Sequence, residues 1–71
     1  MSNNELKRKV LKLKGELKFY GCTQPAKEFI QMYPEYDTAQ GYARVQNLLS
    51  TVITDETFTN QLETLLNTYK L

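Results

Sequence analysis

Apolar residues recur at three- and four-residue intervals in four separate stretches of the chain, and that spacing leaves little choice but helix. Leu6, Val10, Leu13 and Leu17 fall on one stripe of a helix expected over residues 4–18. Gly15 is its weak point, costing about 1 kcal/mol relative to alanine inside a helix. Ala26, Phe29, Ile30 and Tyr33 repeat the pattern over residues 24–33. Thr23 or Gln24 caps that segment, Pro25 sits in its first turn where a missing N–H costs nothing, and Pro34 ends it. Tyr42, Val45, Leu48, Leu49 and Val52 give a third helix, over residues 38–52, its apolar side. Asp37 is the expected N-cap, with Gln40 three residues later completing a capping box. Val52 and Ile53 are β-branched and would suit a short extended piece, although no pairing strand is in evidence. Thr54 or Asp55 caps a fourth helix over residues 55–69, and Asp55 and Glu56 suit the positive end of its dipole. Its Phe58, Leu62, Leu65, Leu66 and Tyr69 face inward. The expected fold is all-α, a compact four-helix domain over residues 1–71.

A chain of 71 residues holds one core and no second domain. Burying roughly twenty large apolar side chains at about 1.5–3 kcal/mol each is opposed by ordering entropy of about 1.5 kcal/mol per residue. So small a margin implies either tight helical packing or help from a partner, and a homodimer stays open. Cys22 is the sole cysteine, so no disulfide closes within the chain. No apolar run reaches the length of a signal-peptide core or a membrane span. The expected location is the cytoplasm.

Enzymatic chemistry finds no residues to use. The chain has no histidine, no second cysteine, no glycine-rich phosphate loop and no cluster of carboxylates. No catalytic residue, metal or cofactor is therefore expected. Cys22 reads as a small half-buried residue near a turn, and Asp55-Glu56 as the start of a helix.

Charge is lopsided. Residues 1–27 hold seven basic side chains against two acidic ones, a net of +5, whereas residues 28–71 hold two against six, a net of −4. A positive end of this kind can orient a protein toward a polyanion, although a lysine-rich solvated helix face is the commoner explanation. The third helix differs: opposite its apolar stripe stand Gln40, Ala43, Arg44, Asn47, Ser50 and Thr51, one charge among six. Arg and amide side chains make paired hydrogen bonds to base edges in the major groove, and Ala or a Thr methyl can touch the thymine methyl. A plain polar face explains the same residues equally well.

The stretch Thr23-Gln24-Pro25-Ala26-Lys27-Glu28-Phe29 resembles the start of the second helix in phage-repressor-like helix-turn-helix proteins, and Asp37 to Leu49 takes the place of their recognition helix. The resemblance spans about residues 23–66. It implies a helix-turn-helix-like core and a bacterial or phage type of transcription regulator that binds duplex DNA. By that resemblance Gln40, Arg44, Asn47 and Thr51 would read bases, while Lys7, Arg8, Lys12 and Lys14 would hold phosphates. One departure bears on the geometry: Tyr33-Pro34-Glu35-Tyr36 is longer and stiffer than the family's tight glycine-containing turn.

A different constellation suits a small protein-interaction module, an inhibitor or adaptor of phage or mobile-element type. Leu11 and Gly15 lie one turn apart on the outer face of the first helix, between Lys7, Lys14 and Lys18 on one side and Arg8 and Lys12 on the other. An exposed leucine above a glycine admits a second helix, and basic flanks select an acidic partner. Tyr20 and Tyr36, both in turns, would extend this interface.

Overall fold

The computed structural model describes residues 2–70, which form α1 (Asn3–Phe19), α2 (Pro25–Met32), α3 (Ala39–Leu49) and α4 (Glu56–Lys70), with a 3-10 turn at Pro34–Tyr36 between α2 and α3. No strand occurs among the described residues, so the all-α expectation holds.

Helix ends account for the differences from the expected boundaries. The Ser2 hydroxyl accepts the Glu5 N–H at 3.3 Å, and α1 continues to Phe19. At the start of α3 the cap is Thr38, not Asp37: the Thr38 hydroxyl accepts the Gly41 N–H at 2.9 Å from an extended backbone. Asp37 is still part of the preceding turn, its N–H donating to the Pro34 carbonyl at 2.9 Å, so the helix begins one residue late and the capping box with Gln40 does not form. Gly41 earns its place by contact, because a Cβ there would lie 2.8 Å from the Tyr36 carbonyl carbon.

Two helices close with the same hydrogen-bond pattern. After α1, Gly21 takes φ 97°, Cys22 N–H donates to Leu17 O at 2.9 Å and Gly21 N–H to Lys18 O at 3.1 Å. After α3, Thr51 takes φ 62°, Val52 N–H donates to Asn47 O at 3.0 Å and Thr51 N–H to Leu48 O at 3.2 Å. Both are Schellman closures, which satisfy the last carbonyls by turning one residue left-handed. The second one stops α3 three residues short of the expected Val52. That residue is 69% exposed and leaves the core, while Ile53 packs against it.

Packing gathers the four stripes into one core. Phe29, Val45, Phe58 and Leu62 are fully buried, joined by Leu17, Leu48 and Leu66. The Phe29 ring lies 4.7 Å from Phe58, 4.9 Å from Tyr33 and 5.4 Å from Tyr36, which ties α2, the 3-10 turn and α4 together. Cys22 and Thr59, outside every apolar stripe, are buried too. Lys9 pairs with Glu63 at 3.3 Å and Glu16 with Lys70 at 3.5 Å, so α1 and α4 run side by side in the same direction. Thr54 and Asn3 meet at 3.0 Å where both begin. The α2–α3 pair is thus the crossover that returns the chain, in a body 28 × 28 × 16 Å across its Cα atoms.

Candidate nucleic-acid interface

Burial of Val45, Leu48 and Leu49 fixes the rotation of α3 and turns Gln40, Ala43 and Asn47 to solvent. Gln40 and Asn47 are seven residues apart, about 10.5 Å along a helix at 1.5 Å per residue, and on the same side of it. Among the described residues neither amide side chain takes part in a hydrogen bond. Other polar side chains of the neighbourhood are engaged: Gln46 Nε2 donates to Tyr42 Oη at 2.9 Å, and Tyr36 Oη donates to Gln61 Oε1 at 3.2 Å.

Arg44 is engaged as well. Its Nη2 lies 2.8 Å from Asp55 Oδ2, while Asp55 Oδ1 accepts the Phe58 N–H at 3.2 Å and so caps α4. The Phe58 N–H, and after it Arg44, hold the Asp55 carboxyl below its ordinary value against the opposing effect of burial. Arg44 therefore ties α3 to the first turn of α4 and does not stand free beside Gln40 and Asn47. Thr51 lies beyond the end of α3, in the left-handed turn, with its hydroxyl donating to the Ser50 carbonyl at 2.6 Å. It does not continue the α3 face.

Of the four expected phosphate residues, Lys7, Arg8 and Lys12 are exposed and have no ion pair among the described residues. Lys14 is half-buried, its Nζ donating to the Leu49 carbonyl at 2.9 Å, where it satisfies the negative end of α3. One cation was missed by the sequence reading: Lys27, exposed on α2, the helix packed against α3. A groove of about 920 Å³ runs between α2 and α3, floored by Ala26, Ile30 and Leu49 with Lys27 on its rim. Tyr42 lies over it, 48% exposed, and is not the core residue that helical spacing suggested.

The outer face of α1 carries more apolar surface than Leu11 alone. Leu11 is 55% exposed, and Phe19, which the expected helix end left out, is 83% exposed. Phe19 meets the Tyr20 ring edge-on at 5.3 Å. Between Leu11 and Phe19 nothing lies within 4 Å of where a Cβ would sit on Gly15. Tyr36 is no part of this surface. Its ring packs on Phe29, its hydroxyl is bound to Gln61, and burial and the Asp55 charge push its phenol above the ordinary value.

Cys22 is buried, with its thiol donating to Glu28 Oε2 at 3.1 Å. Burial first, and then the Glu28 carboxylate, push the thiol up to about 11, so it stays protonated at neutral pH. Among the described residues no group of three or more His, Cys, Asp or Glu is arranged to hold a metal ion. No helix among them is long and apolar enough to cross a membrane. Comparison with protein-family models, with curated proteins and with solved structures yields no match for this chain.

Proposed function

We propose that this chain binds duplex DNA, as a small transcription regulator of bacterial or phage type, with α3 in the major groove. The observation that carries the reading is the pair of unengaged amides, Gln40 and Asn47, on one exposed and uncharged face of α3. An amide side chain bonds adenine at N6 and N7 together, which makes it a reader of one base pair. Their spacing of about 10.5 Å matches about three base-pair steps of about 3.4 Å each. Ala43 between them is short enough to let the helix approach and can meet a thymine methyl. In this reading α2, the 3-10 turn and α3 serve as the helix-turn-helix-like core, and Arg44 sets the attitude of α3 through Asp55 rather than touching a base. Lys7, Arg8 and Lys12, with Lys27 on α2, supply the contacts to phosphate that position the protein without reading sequence. A lone cysteine that stays a buried thiol suits the reducing cytoplasm where such DNA lies.

A mobility-shift titration of random-sequence duplex against salt tests this. The expected result is a shift at low salt that weakens steeply as salt rises, because each neutralised phosphate contributes about 0.9 to the logarithmic slope. No shift at low salt would end the DNA reading. A second reading, a module that docks a protein, is favoured by the exposed Leu11 and Phe19 on α1.

A further inference from the structure

DNA leaves one surface unexplained. A phosphate backbone offers nothing apolar, yet the basic outer face of α1 carries Leu11 at 55% exposure and Phe19 at 83%, with Tyr20 beside Phe19. These side chains follow one ridge, Leu11, Gly15 and Phe19 at steps of four, and Gly15 is a notch in its middle with open space above it. A ridge interrupted by a notch is where a second helix comes closest. Lys7 heads the ridge one step of four before Leu11, Lys18 flanks it on one side, Arg8 and Lys12 on the other, and none of the four has an ion pair among the described residues. The acids of α1 are elsewhere: Glu16 is held by Lys70, and Glu5 lies in the capped first turn.

We propose that this face docks an amphipathic helix of an acidic protein partner, with apolar side chains on Leu11 and Phe19 and carboxylates on the four cations, and that the partner thereby excludes DNA from Lys7, Arg8 and Lys12. The docking stands on the α1 surface alone, whereas the exclusion rests on the DNA-binding reading above. A second copy of this chain is the wrong occupant. Both flanks of its own face are cationic, and Glu16, the acid nearest that face, is held by Lys70, so pairing of two copies would bring like charges together.

The probe is a synthetic helix of about 18 residues, long enough to hold helical structure, with leucines at three- and four-residue spacing and glutamates on both flanks of the stripe. Two controls share its length, one with lysine for every glutamate and one with the leucines replaced by glutamine. Each is titrated calorimetrically into the full chain without DNA, and then into a complex with labelled random duplex at low salt. The glutamate-flanked peptide should bind, and both controls should not. Phe19→Ser and Leu11→Ser should each weaken it by about ten-fold or more, from the apolar area each loses at the contact, with unchanged helix content and unchanged DNA affinity. The same peptide should release the duplex. Equal binding by Phe19→Ser, or by the leucine-free peptide, would overturn the docking, as would capture of phosphatidylglycerol vesicles in place of the peptide. So would a dimer of the free chain that Phe19→Ser abolishes. Peptide bound beside retained duplex would overturn the exclusion alone. Peptide binding by a chain that shows no affinity for duplex would leave the docking standing and remove the DNA reading.

Discussion

The outer faces of α1 and α3 are both exposed, both polar, and built on opposite terms. On α1 the unpaired groups are cations set around Leu11 and Phe19, and on α3 they are neutral amides set around Ala43. Long cationic side chains act at a distance and tolerate imprecise placement, so they supply affinity with little selectivity. Amides act only at hydrogen-bond range, and they need a helix whose rotation and height are fixed. The structure fixes α3 by buried Val45, Leu48 and Leu49 below, by Thr38 at one end, by Lys14 on its last carbonyls at the other, and by Arg44 on Asp55 at its side. Among the described residues no comparable tie restrains Lys7, Arg8, Lys12 or Lys18 on α1.

The strongest way to break this contrast is to neutralise Lys7, Arg8 and Lys12 together as glutamines. Duplex affinity should fall by about the same factor for every sequence, and the logarithmic salt slope should flatten by up to about three units. Thermal stability should hardly move, because none of the three has an ion pair to lose among the described residues. A large fall in melting temperature would mean that these side chains serve the fold.

Restraint of α3 is probed by Asp55. Replacement by alanine removes both a helix cap and the partner of Arg44, and should cost about 1–2 kcal/mol. Asparagine keeps the cap, so Asp55→Asn should cost less than about 1 kcal/mol. The sign of the pH dependence follows from the lowered value of Asp55. Its contribution is fully present above the unfolded aspartate value of about 3.9 and is lost as pH falls through the lower folded value. Urea melts of the wild type and Asp55→Asn should therefore differ at pH 6 and converge toward pH 2. A constant difference across that range would remove the ionic part of the tie.

The smallest expected effect lies in the two Schellman turns, at Gly21 and Thr51. A β-branched residue at φ 62° is strained, whereas Gly21 at φ 97° is not. Thr51→Gly should stabilise by up to about 1 kcal/mol, and Gly21→Ala should destabilise by about the same. If Thr51→Gly destabilised instead, the hydroxyl contact to the Ser50 carbonyl would outweigh the backbone strain.

Helix number and nearly every core position were legible because spacing alone encodes which side is buried, and one core leaves one side to bury. The errors came where a residue's place depends on a neighbour distant in sequence or on a turn. Asp37 and Thr38 are both good caps, and only the 3-10 turn, which uses the Asp37 N–H, decides between them. Tyr42 and Val52 fit the stripe by angle, but one lies over the α2–α3 groove and the other falls beyond the left-handed Thr51. The engagement of Arg44 by Asp55 requires the α3–α4 approach, which no periodicity contains. Lys14 looked like one more lysine of a basic face, and its role at the end of α3 follows from the packing of α1. Phe19 was missed by ending α1 one residue early, although its position four after Gly15 was a signal for the ridge.

The claim that α3 reads DNA through two separated amides is tested most directly by selecting binding sites from a pool of random duplexes with the wild type, Gln40→Ala and Asn47→Ala. The wild type is predicted to enrich two adenine-bearing positions about three base pairs apart. Each variant should lose about 1–3 kcal/mol of discrimination at one of them and keep the other, with nonspecific affinity unchanged. Identical enriched sites for all three proteins, or no enrichment by the wild type, would contradict the account.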